Sequence, residues 1–302
     1  MSNILITGAT GHIGCWLVNH FLKKGHGIIA HGSSVESINN LKTRSNLNSK
    51  PNVKYWTQDF LANQWNFPNF ANIDIIIHCA AATKVREGTI DNFERYFSLN
   101  VLATKLIAKK ALENSVKHFI YFSSGQVYGI SPSFPIREDT EKKPINLYGF
   151  TKLMGENIIK SLGILGLNYT IFRPFSVYGK GHDNIISIIK NKILNDEKIT
   201  VYGDGNQKRA FTHVRDLCNA LELIINNKQC FSQEYNFSGI KEYSVNDLIK
   251  MISKRLNKIP HIETSNIEIK EQQRNIANIN KLKDLGFNFR QTLENFIENE
   301  LN

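Results

Sequence analysis

Apolar residues in the first half of this chain come in short unbroken runs. Ile4-Leu5-Ile6 is the first, and runs at 27–30, 53–56, 73–78, 117–122 and 168–172 repeat the pattern. Such runs, bounded by turn residues, are expected of strands buried on both faces. Amphipathic stretches of helical period lie between them, beginning with Cys15 to Lys24. Strand and helix in alternation predict a Rossmann-type α/β fold with a doubly wound parallel sheet. After about residue 174 the pattern changes to short strands, loops and two or three helices. No linker, repeat or low-complexity segment marks the change, so two lobes, 1–173 and 174–302, are expected to pack closely.

The first strand runs into Thr7-Gly8-Ala9-Thr10-Gly11-His12-Ile13-Gly14 and then the first helix. A tight glycine turn before a helix lets backbone N–H groups and the helix N-terminus approach a pyrophosphate, while Gly14 lets helix pack on strand. The spacing is GxxGxxG, not the commoner GxGxxG. Candidate cofactor contacts are Gly8, Thr10, Gly11, His12 and Ile13. Ala80, Ala81 and Ala82 end the fourth strand, where small side chains permit backbone to approach the cofactor. Residues 1–173 are therefore expected to form the dinucleotide-binding domain, and 174–302 a smaller, mainly substrate-binding lobe.

Tyr148-Gly-Phe-Thr-Lys152, with Ser124 upstream, supplies the chemistry. A phenol passes no proton near pH 7 unless its pKa is pulled down from about 10. A lysine at i+4 shares its helix face and is expected to supply that pull. Ser124 would hold the oxygen that gains or loses the proton. These three are the candidate catalytic residues for alcohol–carbonyl interconversion, and Tyr148 and Lys152 also touch the hydride carrier.

The motifs TGATGHIG (7–14), Asp59-Phe60, HCAAATK (78–84), Asn100-Val101, FSSGQVYG (122–129), YGFTK (148–152), RPFSVYG (173–179) and YGDGNQKRAFTHVRD (202–216) stand in an order that resembles the extended short-chain dehydrogenase/reductases of the nucleotide-sugar epimerase/dehydratase family. The resemblance spans Ile4 to about Gly286. It implies that Asp59 and Phe60 lie at the adenine, that Asn100 bonds backbone near the site, and that Arg209 and Arg274 clamp the diphosphate of a nucleotide-diphosphate sugar. It also implies a homodimer formed through helices near 91–113 and 148–165, and work in cell-surface polysaccharide biosynthesis. Lys84, Phe175, Ser176, Tyr178 and His182 are expected around the sugar. Dehydratases of the family follow the serine or threonine with Asp-Glu; here Gly125 and Gln126 stand there, and neither exchanges a proton. Hydride transfer at the sugar C4 remains.

NAD-preferring relatives end the second strand with a carboxylate that bonds the ribose 2′-OH. Gly32 takes that place, Ser33 and Ser34 can donate to a 2′-phosphate, and Lys42 or Arg44 can add charge. NADP is therefore favoured over NAD, and with it a 4-ketoreductase. The alternatives are a 4-epimerase with retained NAD and a carbonyl reductase acting on a non-sugar ketone.

The 302 residues carry 37 Lys and Arg against 27 Asp and Glu, a net charge of +10. The basic residues are scattered without an aromatic-interleaved stripe, so no nucleic-acid partner is expected. No segment approaches the ~20 apolar residues that span a bilayer. The N-terminus lacks a basic start and cleavage site, which predicts a cytoplasmic protein without membrane contact. Cys15, Cys79, Cys218 and Cys230 have no CxxC spacing and read as reduced thiols. His78 and Cys79 are consecutive on a strand and face opposite ways, so no metal site is expected.

Overall fold

The computed structural model describes residues 1–45, 47, 50–181, 184–265 and 272–301. The expected apolar runs become strands β1 (Asn3–Thr7), β2 (Gly27–Gly32), β3 (Val53–Thr57), β4 (Ile75–His78), β5 (His118–Phe122) and β6 (Tyr169–Pro174). The short strands β7 (Val177–Tyr178), β8 (Ile199–Tyr202), β9 (Lys208–Ala210) and β10 (Thr212–His213) follow. The chain then returns to the main sheet with β11 (Gln233–Phe237) and leaves it with β12 (Glu242–Ser244), β13 (Ile262–Ser265) and β14 (Arg274–Asn275).

The main sheet has seven parallel strands in the order β11-β6-β5-β4-β1-β2-β3. Strand order reverses between β1 and β4, the point of a doubly wound sheet where a crevice opens beyond the carboxyl ends. Alternate residues of each buried strand serve different layers. Ile4, Ile6, Ile75, Ile77, Ile120 and Phe122 pack with α1 (His12–Lys23) and the helix over Val214–Ile224; Leu5, Ile76, Phe119 and Tyr121 pack on the other face with the helices over Ala103–Glu113 and Leu147–Ile164. In chain order the helices are α1, α2 (Val35–Arg44), α3 (Phe93–Phe97), α4 (Ala103–Glu113), α5 (Leu147–Ile164), α6 (Ile185–Leu194), α7 (Val214–Ile224), α8 (Val245–Leu256), α9 (Asn280–Asp284) and α10 (Leu293–Asn299).

Beyond Pro174 the chain divides its residues. The β8, β9 and β12–β14 strands with α6, α8 and α10 form a lobe around Ile189, Ile193, Val201, Leu248, Ile252 and Phe296. By contrast β11 and α7 complete the main sheet and its cover, so 174 is not a clean boundary. The run at 233–237 is short and carries Gln, Glu and Asn, which hid it from a search for apolar strands. Among the described residues no helix is long and apolar enough to cross a membrane, and no group of His, Cys, Asp and Glu could hold a metal ion.

The first helix packs on the first turn because Gly14 has no side chain. A Cβ there would stand 2.1 Å from the Gly8 carbonyl oxygen and 2.7 Å from the Ala9 Cα. Both obstacles are backbone, which cannot swing aside. Gly14→Ala is expected to lose about 1–3 kcal/mol of stability through overpacking, measured by urea unfolding at neutral pH.

Candidate active site

The glycine turn is held from below by a residue outside every motif. His31, on β2, is buried; its Nδ1 accepts from the Gly8 N–H at 3.1 Å, and its backbone oxygen accepts from the Ala9 N–H at 2.9 Å. Nε2 donates to the Gln58 carbonyl at 2.9 Å, so the ring is a neutral Nε2–H tautomer. Phe60 stacks on it at 4.3 Å. Gly8 has φ of +66°, and a Cβ there would lie 2.8 Å from the Ala80 Cα, so strand end and turn meet backbone to backbone. Gly11 caps α1 without a side-chain acceptor, and the first turn of α1 has no acid. Its leading N–H groups, near His12 and Ile13, thus lack a side-chain cap and suit an anion. Small residues and uncapped N–H groups fit the pyrophosphate of a dinucleotide.

The adenosine end differs from expectation. Gly32 ends β2 in a space lined by the side-chain ends of Thr10, Ser37 and Ile38, each within 2.9 Å of where a Cβ would be, so a side chain there would have to displace them. Ser34 caps α2, accepting from the Ser37 N–H at 3.1 Å. Lys42 lies 4.5 Å over the Tyr55 ring, and Arg44 donates to the Thr10 carbonyl at 2.9 Å. Ser33 is exposed. The groups expected to hold a 2′-phosphate thus have other partners, Ser33 excepted. Asp59 accepts from the Leu61 N–H at 2.9 Å within its own loop, while Phe60 is a buried support for His31.

The acid/base residues come together where β5 ends. Ser124 starts a short helical turn over Gly125–Tyr128, its Oγ accepting from the Gln126 N–H at 3.2 Å. Tyr148 and Lys152 lie a turn apart on the buried face of α5. Asn146 caps that helix, accepting from the Gly149 N–H at 2.8 Å, and donates to the Gln126 side chain at 3.0 Å. Asn100 donates to the Ala82 carbonyl and Thr151, and accepts from the Ala82 N–H at 2.8 Å, tying β4 to α5. Lys152 shares the buried face of α5 with the phenol, as the i+4 spacing requires. Burial pushes Tyr148 up to about 12, and the hydrogen bond with Ser124 is what opposes it. Burial also lowers Lys152 to about 8, against the opposing influence of Cys79 and Glu156, and its Nζ lies 4.4 Å over the Tyr121 ring.

Two substrate assignments need correction. Lys84 is exposed and bonds Glu87 at 2.6 Å, an i,i+3 partner that draws it to the surface. Arg209 and Arg274 lie on adjacent strands but do not converge. In the β14–β9 register Arg274 pairs with Lys208 and Asn275 with Arg209, so the two arginines point to opposite faces. Arg274 bonds Glu242 and covers the Phe134 ring at 5.0 Å. The residue beside Arg209 is Asn275, whose buried Oδ1 has no partner among the described residues. Phe175 is buried against the Ser124 turn, and a Cβ at Gly125 would stand 2.7 Å from its ring. Ser176 holds a positive φ of 28° and accepts from the Thr212 N–H. Tyr178 is buried in the lobe core, and His182 lies outside the described residues.

The sequence matches the NAD dependent epimerase/dehydratase family over residues 4–237. The chain belongs to that family. It is 31% identical over 257 residues to a putative UDP-glucose 4-epimerase of Methanocaldococcus jannaschii, covering 82% of this chain and 81% of the relative. A UDP-glucose 4-epimerase of Halalkalibacterium halodurans is 30% identical over 271 residues, covering 82% and 78%. Among solved structures, the UDP-glucuronic acid 4-epimerase of Bacillus cereus, in complex with UDP-glucuronic acid and NAD, superimposes with a TM-score of 0.90 at 25% identity, covering 99% of this chain and 98% of that one. This family member is accordingly an NAD(P)-dependent enzyme of nucleotide sugars.

His31 gives the site a pH dependence. Its imidazole titrates near 6.5 when unfolded and, because burial disfavours its charge, at about 4 when folded. The folded protein binds fewer protons between those values, so stability present above pH 6.5 is lost as pH falls toward 4. His31 alone is expected to cost about 2 kcal/mol by pH 5. His118 and His213 are also lowered to about 4 by burial, so the share of His31 is read by difference. Urea unfolding at pH 7.5 and 5 should show a smaller loss in His31→Leu than in wild type.

Proposed function

We propose that this protein is a nucleotide-sugar 4-epimerase that retains NAD and acts on a UDP-hexose or UDP-hexuronic acid. The observation that carries the reading is the pairing of Ser124 with Tyr148 on a turn where Gly125 leaves no room for an acid. Dehydration needs that acid; oxidation and reduction at C4 do not. The named functions of the relatives support epimerisation over the ketoreductase expected from Gly32, and the prior engagement of Ser34, Lys42 and Arg44 removes much of the case for NADP.

The C4 hydroxyl would lie between the Ser124 Oγ and the Tyr148 phenol. NAD, when bound, supplies the hydride acceptor and later the donor. Tyr148, as the phenolate that the Lys152 ammonium favours, would take the C4 hydroxyl proton in the oxidative half-reaction and give it back in the reductive one. Ser124 holds the oxygen through both half-reactions, and Lys152 holds the nicotinamide ribose. Arg209, with Asn275 beside it on β9 and β14, is the diphosphate contact. The lobe built from residue 174 onward supplies the sugar contacts, including Phe175 and Ser176.

A homodimer is part of the proposal. Leu102 and Leu106, and Phe150 and Met154, are exposed i,i+4 pairs on the adjoining α4 and α5 region. Leu106→Glu with Phe150→Glu should convert a dimer to a monomer by sedimentation; a monomeric wild type sinks this assignment.

Tyr148→Phe keeps the ring and removes the proton, and should lower epimerase turnover by about 10²–10⁴ while the retained cofactor stays bound. The assay is interconversion of UDP-glucose with UDP-galactose, and of the corresponding uronic acids, without added cofactor, with the cofactor released by denaturation identified by mass. Stoichiometric consumption of added NADPH would restore the ketoreductase. Arg209→Ala should weaken binding of the nucleotide sugar by about 1.5–3 kcal/mol, read as a raised KM.

A further inference from the structure

Arg173, on β6, is fully buried, far from any solvent that could hold its charge. Its Nε donates to the Glu156 Oε1 and its Nη2 to the Glu156 Oε2, both at 2.7 Å. Nη1 donates to the Tyr128 hydroxyl at 2.8 Å, and Nη2 also reaches Glu234 at 2.5 Å. Glu156 Oε1 accepts a further bond, from the Ser123 Oγ at 2.5 Å. Ser123 and Tyr128 bracket the turn that begins at Ser124. Glu156 lies one helical turn beyond Lys152 and two beyond Tyr148. A buried ion pair is no better for stability than apolar residues of the same volume, so the arrangement calls for another reason.

We propose that Arg173 and Glu156 are positioning residues, which fasten both ends of the Ser124 turn to the helix carrying Tyr148 and Lys152 and so fix the gap in which the substrate oxygen sits. The proposal rests on the reading that Ser124 and Tyr148 hold that oxygen. Ser123 reaches Glu156 directly, and Tyr128 reaches it through Arg173; the Tyr128 hydroxyl donates onward to Asn236 at 2.8 Å, which anchors the far end to β11. Neither charged residue touches the reacting atoms. They act through the turn.

Replacing Arg173 or Glu156 alone would leave an unpaired buried charge and risk the fold. The test uses the links instead, with the pair left intact. The double variant Ser123→Ala, Tyr128→Phe should lower kcat on the UDP-sugar by about 10-fold to 10²-fold, as expected for misplaced reacting groups, with KM and cofactor retention unchanged. Backbone amides of 124–129 should exchange faster, with the rest of the sheet unaffected. Ser123→Thr, which restores the hydroxyl, should recover the Ser123→Ala loss. A kcat within about twofold of wild type, too small a change to count as lost transition-state stabilisation, overturns the proposal, and so does a loss that Thr leaves uncorrected. If wild-type protein leaves every UDP-sugar unchanged, the epimerase reading falls. Exchange then decides the positioning role by itself: faster at 124–129 supports it, unchanged overturns it.

Discussion

One stripe of α5 serves as core and carries the candidate acid/base residues. Tyr148, Lys152, Glu156 and Ile159 follow one another at roughly one turn apart and are all buried. Three of the four can ionise, and burial penalises each charged form. The surrounding structure answers that cost residue by residue. Ser124 bonds Tyr148, the Tyr121 ring lies under the Lys152 ammonium, and Arg173 neutralises Glu156. Burial lowers Lys152 to about 8, against the opposing influence of Cys79 and Glu156. The fold thus fixes the geometry of three ionisable groups and gives each one a buried neighbour.

The doubly wound topology explains why these groups meet the glycine turn. Parallel strands deliver their carboxyl ends to one edge, so the Gly8 turn after β1, Ala80–Ala82 after β4 and Ser124 after β5 lie together without long-range design. A chain of buried hydrogen bonds stiffens the edge. Thr104 donates to the Asn100 carbonyl and so accepts from the His78 Nε2, which leaves Nδ1 to accept from Thr7. Asn100 continues to Thr151 and the backbone of Tyr148. Strand end, cofactor turn and catalytic helix therefore hold one register.

What was legible in the sequence followed periodicity and spacing. Apolar runs marked β1 to β6, and Tyr148 with Lys152 needed only the helical repeat to share a face. What escaped depends on tertiary partners. Arg274 looked like a diphosphate ligand until the pairing of β14 with β9 turned it to the opposite face from Arg209. Ser34 looked like a phosphate donor but caps α2, the other use of a serine at a helix start. His31 belongs to no motif and Arg173, though it opens RPFSVYG, was given no role, yet one buttresses the glycine turn and the other the Ser124 turn. A polar residue inside an apolar strand was the available signal. Each directly follows an apolar run and lies inside the strand that the run became, and a buried polar group must have found a partner.

The site also limits its chemistry by shape. In a dehydratase an acid follows the serine or threonine; here the Phe175 ring fills the space into which a side chain at 125 would project. Gln126 cannot substitute. Asn146 Oδ1 accepts from the Gly149 N–H, which forces its amide nitrogen toward Gln126 and makes the Gln126 oxygen an acceptor, so the nitrogen of Gln126 is left as a donor. An amide donor can orient an oxygen of a sugar but cannot remove a proton from it. That leaves Tyr148 as the proton-transfer group of the proposed epimerisation, one group serving both directions.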